Sequence, residues 1–158
     1  MMFHHRQVYM GYGSNLMRRQ MNTHAPDNQF IGLAFIEGWK WIISRRGYAN
    51  VIPSPGDVVY GLVYTVSSSD EANLDAFEGV PNMYSKFYLN ITMGTQEKPG
   101  TRHRSLLYID VNSKVPAPAP QEYIDRINEG IEDCRKAGMP ESYIEEYLRV
   151  FIPPPADA

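Results

Sequence analysis

Gln7-Val8-Tyr9-Met10-Gly11-Tyr12-Gly13-Ser14-Asn15-Leu16 carries the chain from a strand-like run into a turn and on into a helix-like run. Val, Tyr and Met favour extended backbone, so a first strand is expected over 7–12. Gly13, Ser14 and Asn15 make a turn composition, because Gly and Asn tolerate left-handed backbone. A short helix over 16–23 should follow, with Ser14 or Asn15 as its N-cap.

Beyond that opening the chain is mostly strand. Residues 30–37 and 39–44 are strand-like runs separated by Gly38, and 49–53 is a further short one. Ser54-Pro55-Gly56-Asp57 has a strong turn composition, since Pro presets one φ and Gly supplies the other. Residues 58–66 read VVYGLVYTV, a buried strand in which Gly61 marks a bulge or a close approach. Ser68 and Glu71 have capping-box spacing, which predicts a helix over 70–78 that stops at Gly79. Residues 84–95 and 102–111 alternate in polarity around a turn at 96–101, the pattern of an antiparallel hairpin.

The last third is helical. Residues 115–120 read VPAPAP, an extended linker. Tyr123, Ile124, Ile127 and Ile131 recur at helical spacing, which predicts a helix over 121–137 ended by Gly138. Pro140 sits where the first residue of a helix belongs, ahead of a second helix over 142–150. Three prolines, 153–155, then end regular structure. Strands first and helices last give an α+β chain: a strongly bent mixed sheet or barrel with helices packed against it. It should be one domain over 1–158, with an extended tail from about residue 152.

Composition narrows the function. The length of 158 residues fits one domain of about 100–200. With 43% hydrophobic and 21% charged residues the chain is globular rather than disordered. Fifteen Lys and Arg against 18 Asp and Glu leave a net charge of −3, which argues against nucleic acid as the main partner. The one cysteine, Cys134, excludes an intrachain disulfide and a CxxC metal site. Apolar runs fall short of the roughly 18 residues that a membrane span needs. The first residues lack a signal-peptide pattern, so a cytoplasmic setting is expected.

Three features could carry chemistry. Tyr12, Gly13, Ser14, Asn15 and Leu16 lie between a strand and a helix, where successive N–H groups could cradle an anion or a carbonyl oxygen. An ordinary capped turn would read the same. The dinucleotide fingerprint fails because Leu16 stands where its third glycine belongs. Glu78 is placed in the last turn of a helix, where the dipole would raise its pKa towards that of a general acid/base. A solvated helix-end glutamate is the plainer alternative. Asp75 could couple to it or lie at the surface. Among the 11 tyrosines, Tyr84, Tyr108 and Tyr123 are candidates to orient a small polar ligand. His4, His5, His24 (a lone loop residue) and His103 have no metal-ligand spacing, and Cys134 reads as a buried thiol.

Taken together, these stretches resemble the γ-glutamylcyclotransferase family. The matching segments are Val8–Leu16, Pro53–Asp57 running into Val59–Tyr64, Leu74-Asp75 with Phe77–Val80, Met83-Tyr84, and the PxPQxY and GxPxxY patterns within 118–148. The resemblance spans about residues 7–149. It implies a compact mixed β-barrel with flanking helices, no metal and no cofactor. The reaction it implies is intramolecular aminolysis of a γ-glutamyl amide to 5-oxoproline, with Glu78 as acid/base. Tyr12, Gly13, Ser14, Asn15, Leu16, Tyr84 and Tyr123 would bind the substrate.

The partner is then a small γ-glutamyl substrate, with no nucleic acid or membrane, and a homodimer is compatible. The leaving group could be an amino acid, another amine or a natural-product intermediate such as one in antibiotic biosynthesis. A non-catalytic binding module or a hydrolase releasing glutamate are the readings from other classes. Phe77 departs from the family's usual polar residue. Residues 23–50 show little resemblance, and such loops normally choose the leaving group.

Overall fold

The computed structural model describes residues 6–156. His4 and His5 lie outside the described residues, as do the last two residues of the expected tail. Five strands, β1 (Gln7–Gly11), β2 (Gln29–Ile43), β3 (Ala49–Val66), β4 (Ser85–Gly94) and β5 (Pro99–Ile109), form a closed barrel in the order β1-β3-β2-β4-β5. The pairings are antiparallel except at the seam, where β1 lies parallel to β5 through Tyr9 and Leu106. The α+β barrel expected from the sequence is the one observed.

Two long strands replace the shorter runs expected. Residues 30–37 and 39–44 are one strand, β2, and it passes through Gly38 at φ +85°. Ser54-Pro55-Gly56-Asp57 does not separate two strands. It is an insertion within β3, because Glu37 pairs with Val58 and Trp39 with Pro53, which leaves residues 54–57 opposite Gly38 alone. The turn chemistry is genuine, with Gly56 at φ +90° and the Ser54 hydroxyl donating to Asp57, but it forms a bulge. Gly61 marks a close approach: a Cβ there would stand 2.5 Å from the Gly11 carbonyl oxygen and 2.9 Å from Met10. Only a glycine lets β1 and β3 meet at that point.

The helices differ in detail. The expected helix over 16–23 divides into a 3-10 turn, Ser14–Leu16, and helix α1, Arg18–His24, because Met17 between them is extended. Gly13, not Ser14 or Asn15, precedes the first turn, and no side chain caps it. His24 is thus the last residue of a helix and not a loop residue. Helix α2, Ser68–Phe77, is capped one residue earlier than expected, by Ser67 with Asp70 rather than Ser68 with Glu71. It ends in a Schellman motif: Val80 N–H donates to Asp75 and Gly79 N–H to Ala76, with Gly79 at φ +65°. Helix α3, Gln121–Lys136, ends the same way at Gly138. Pro140 is an N-cap rather than a first helical residue, and the last helix is a short turn, α4 (Glu141–Tyr143), continued by a π turn over Ile144–Leu148.

The core fills the barrel and the space beneath α3. Met10, Leu62, Tyr64, Ile91 and Leu106 are buried in it, as are Ile127, Ile131 and Cys134 of α3. Gly130 lets α3 press on the 3-10 turn, since a Cβ there would meet Leu16 and Met17 backbone at 3.0 Å. The helix that closes one side of the fold therefore rests directly on the turn that opened the sequence. Among the described residues no helix is long and apolar enough to cross a membrane.

Candidate active site

A cavity of about 310 Å³ opens where the turn after β1 meets the end of α2 and the first turns of α3. Tyr12, Gly13, Ser14, Asn15, Glu78, Tyr84, Tyr108 and Tyr123 all line it. Residues far apart in sequence thus converge on one concave surface. Leu16 does not line it. Its N–H donates to the Gly13 carbonyl and its side chain is buried in the core.

The turn is fixed by its carbonyls. Trp41 Nε1 donates to the Tyr12 carbonyl at 2.7 Å and the Tyr64 hydroxyl to the Asn15 carbonyl at 3.0 Å. The Gly13 and Ser14 carbonyls accept from Leu16 and Met17 N–H. The first N–H groups of such a turn have no partner inside it, so those of Ser14 and Asn15 are available at residues that line the cavity. Asn15 is 2% exposed, donates through Nδ2 to the Tyr9 hydroxyl, and keeps a buried Oδ1 with no partner among the described residues. A buried acceptor without a donor is costly, and here it belongs to a cavity-lining side chain. Gly13 has a negative φ of −124°. Its requirement is space, because a Cβ would stand 2.8 Å from that of Ala49 and 3.0 Å from the Tyr123 hydroxyl.

The tyrosines converge on a single backbone residue. Tyr84 donates to the Ala49 carbonyl at 2.9 Å, and the Ala49 N–H donates to the Tyr123 hydroxyl at 3.1 Å. Burial pushes the Tyr123 phenol up to about 12, and it pushes Tyr9, Tyr12 and Tyr84 higher still. All four therefore present neutral hydroxyls.

Glu78 is the C-cap of α2, held by its N–H on the Leu74 carbonyl at 2.8 Å. Burial pushes its carboxyl up to about 7. The expectation rested on the helix dipole, but desolvation in the cavity wall is the cause. Asp75 neither couples to Glu78 nor stands free. It accepts from Lys86 Nζ at 3.0 Å and from the Tyr108 hydroxyl at 2.7 Å. Asp75 thus holds Tyr108 in the wall, while among the described residues no cation is paired with Glu78.

Sequence reasoning missed Tyr9, Tyr48, Ala49, Met83 and Arg126 as cavity residues. Arg126 had a signal, since it lies one turn after Tyr123 on the same helix face. Tyr48 had none, because only the β2–β3 hairpin brings it to the site. Among the described residues no group of three or more His, Cys, Asp or Glu side chains is placed to hold a metal.

A family model described as gamma-glutamyl cyclotransferase, AIG2-like matches residues 9–126, the stretch that contributes every lining residue of this cavity. The chain belongs to this family. Among its relatives, the gamma-glutamylcyclotransferase of Mus musculus is 29% identical over 92% of this chain and 79% of its own length. That of Homo sapiens is 26% identical over 83% of this chain and 88% of its own. A solved gamma-glutamyl cyclotransferase superposes with a TM-score of 0.79 at 26% identity, covering 98% of this chain and 92% of that one. The γ-glutamylcyclotransferase fold is therefore shared over most of both chains.

Proposed function

We propose that the chain is a γ-glutamyl cyclotransferase that converts a γ-glutamyl amide into 5-oxoproline and a free amine. One observation carries this reading: a carboxyl of near-neutral pKa, Glu78, lies in the same cavity as the available N–H groups of Ser14 and Asn15. Membership of the family supports it.

The chemistry follows from those groups. The substrate's α-ammonium is no nucleophile until it loses a proton, and ionised Glu78 accepts it. The amine nitrogen then bonds to the γ-carbonyl carbon, and negative charge develops on the carbonyl oxygen. Backbone N–H groups of the turn stabilise that charge or hold the α-carboxylate. The γ-carbon–nitrogen bond breaks as Glu78 returns its proton to the departing nitrogen, and the second proton of the ring nitrogen passes through Glu78 to the released amine, which leaves as an ammonium. No atom is gained or lost and no covalent enzyme intermediate is needed. Ring closure is already intramolecular, so the protein's task is to hold the bent conformer. The neutral tyrosines and the unpartnered Asn15 Oδ1 suit a compact polar substrate with an ammonium to place.

The test is product analysis on γ-glutamyl-alanine, its N-acetyl derivative and α-glutamyl-alanine. Only the first should give free 5-oxoproline, because acetylation removes the nucleophile and the amine of the α-linked isomer cannot close a five-membered ring on the α-carbonyl that holds the alanine. Free glutamate from any of them, or cleavage of the acetylated one, would replace cyclisation with hydrolysis.

A further inference from the structure

The mouth of the cavity carries side chains that the ring-closing chemistry does not use. Tyr48, Phe77 and Met83 line it and are 41%, 48% and 40% exposed. Among the described residues eight large hydrophobic side chains are this exposed, and three of the eight stand at this one opening. Scattered exposed apolar residues need no explanation, but a cluster at the edge of a cavity marks a contact surface.

These side chains are held in place. The Phe77 ring lies against the His24 ring at a tilt of 40°, with centroids 3.8 Å apart. Met83 N–H donates to the Gly79 carbonyl at 2.8 Å, which folds Met83 back over the turn that follows Glu78. Tyr48 meets Tyr123 edge-on at 5.3 Å, and Arg126 places its guanidinium carbon 5.7 Å from the Tyr123 ring centre.

Arg126 is the one Lys or Arg among the lining residues. One of its amino groups donates to Glu122, and the rest of its fork makes no hydrogen bond among the described residues. Glu122 is 67% exposed and Arg126 22%, so the pair is wet on the glutamate side and leaves the guanidinium free to meet a second carboxylate.

We infer that Tyr48, Phe77, Met83 and Arg126 form the subsite of the leaving amine, and that the preferred leaving amine is an amino acid with a large apolar side chain and a free α-carboxylate. This rests on the cyclotransferase reading above. Once the γ-glutamyl unit occupies the Glu78 end, the amide nitrogen must depart towards the mouth. In an amino-acid leaving group one carbon bears both the carboxylate and the side chain. A guanidinium fork suits a planar carboxylate. A simple alkylamine leaves that fork unused, and a diamine brings a second cation against it. Phe77, which the ring-closing chemistry does not use, gains a role as the apolar wall.

The experiment follows 5-oxoproline release from γ-glutamyl-phenylalanine, γ-glutamyl-alanine and γ-glutamyl-phenylalaninamide, with the unmodified protein, Phe77→Ser, Arg126→Gln and Arg126→Lys. In the unmodified protein kcat/KM should favour phenylalanine over alanine, and the acid over its amide, each by about tenfold. Phe77→Ser should erase the first ratio. Arg126→Gln should erase the second, and Arg126→Lys should restore part of it. Turnover of all three substrates at equal kcat/KM, or an acid-to-amide ratio that survives in Arg126→Gln, would overturn the subsite alone. No 5-oxoproline from any of the three would overturn the cyclotransferase reading, and the subsite with it. The comparison among substrates on the unmodified protein decides the matter even where a variant fails to fold.

Discussion

Glu78 carries the chemistry proposed above, and its surroundings set two measurable effects. Glu78→Gln keeps the shape but cannot accept a proton, so turnover should fall by about 10²–10⁴-fold. In the unmodified protein kcat/KM should rise with pH through about 7 as the carboxyl ionises, and this limb should vanish in the variant. Stability responds in the opposite sense. Between pH 4.5 and about 7 the folded chain holds this proton more tightly than the unfolded one. Stability is therefore lost as pH rises through that window. Glu78→Gln should be more stable than the parent by about 1–3 kcal/mol at pH 8 and lose that advantage at pH 4. Urea unfolding at the two pH values measures it. Residue by residue, the site was legible where one local motif held the information. Tyr12 to Asn15, Glu78, Tyr84 and Tyr123 could be singled out from the turn, the helix end and the family pattern. Arg126 was legible only as the neighbour of Tyr123 one turn on, and Tyr48 was not legible at all, because only the β2–β3 hairpin brings it to the cavity in three dimensions.

At the scale of elements, backbone proximity sets the limits. β1 and β3 touch at Gly61, where any side chain would drive into the Gly11 carbonyl oxygen. Gly61→Ala should lower stability by about 1–3 kcal/mol, measured as a fall in Tm, and should disturb the turn that β1 leads into. The sequence showed which elements exist more clearly than where they end. The β4–β5 hairpin and the glycine stops of α2 and α3 were readable because strand alternation and left-handed caps are local signals. The SPGD bulge was not. The same four residues can close a hairpin or be pushed out of a continuous strand, and the pairing of Trp39 with Pro53 decides which. The one-residue slip in the α2 cap has a similar cause. Ser67, Ser68 and Ser69 all offer hydroxyls, and the buried Asp70, which also accepts from Asp27 N–H, selects Ser67.

For the whole molecule the balance is between a rigid barrel and an open mouth. Cys134 lies in the layer between α3 and the barrel, fully buried, and burial pushes its thiol well above the ordinary range. It should resist a thiol reagent such as 5,5′-dithiobis(2-nitrobenzoate) in the native protein and react with one equivalent after denaturation. Rapid native labelling would show that α3 lifts from the barrel. Dithiothreitol should leave turnover unchanged, since no other cysteine exists to pair with it.

The parallel seam between β1 and β5 governs the order in which a growing chain can assemble. β1 is made before the other four strands, yet its second neighbour is β5, the last of them. Until residue 106 has been made, β1 can pair with β3 alone, and one of its edges stays bare. A fragment that stops at Gly94 would carry two such edges, on β1 and β4, each open to pairing with another chain. Synthesis that stalls between β4 and β5 therefore leaves a sheet prone to self-association. The cavity comes later still, because Tyr123 and Arg126 enter only with α3.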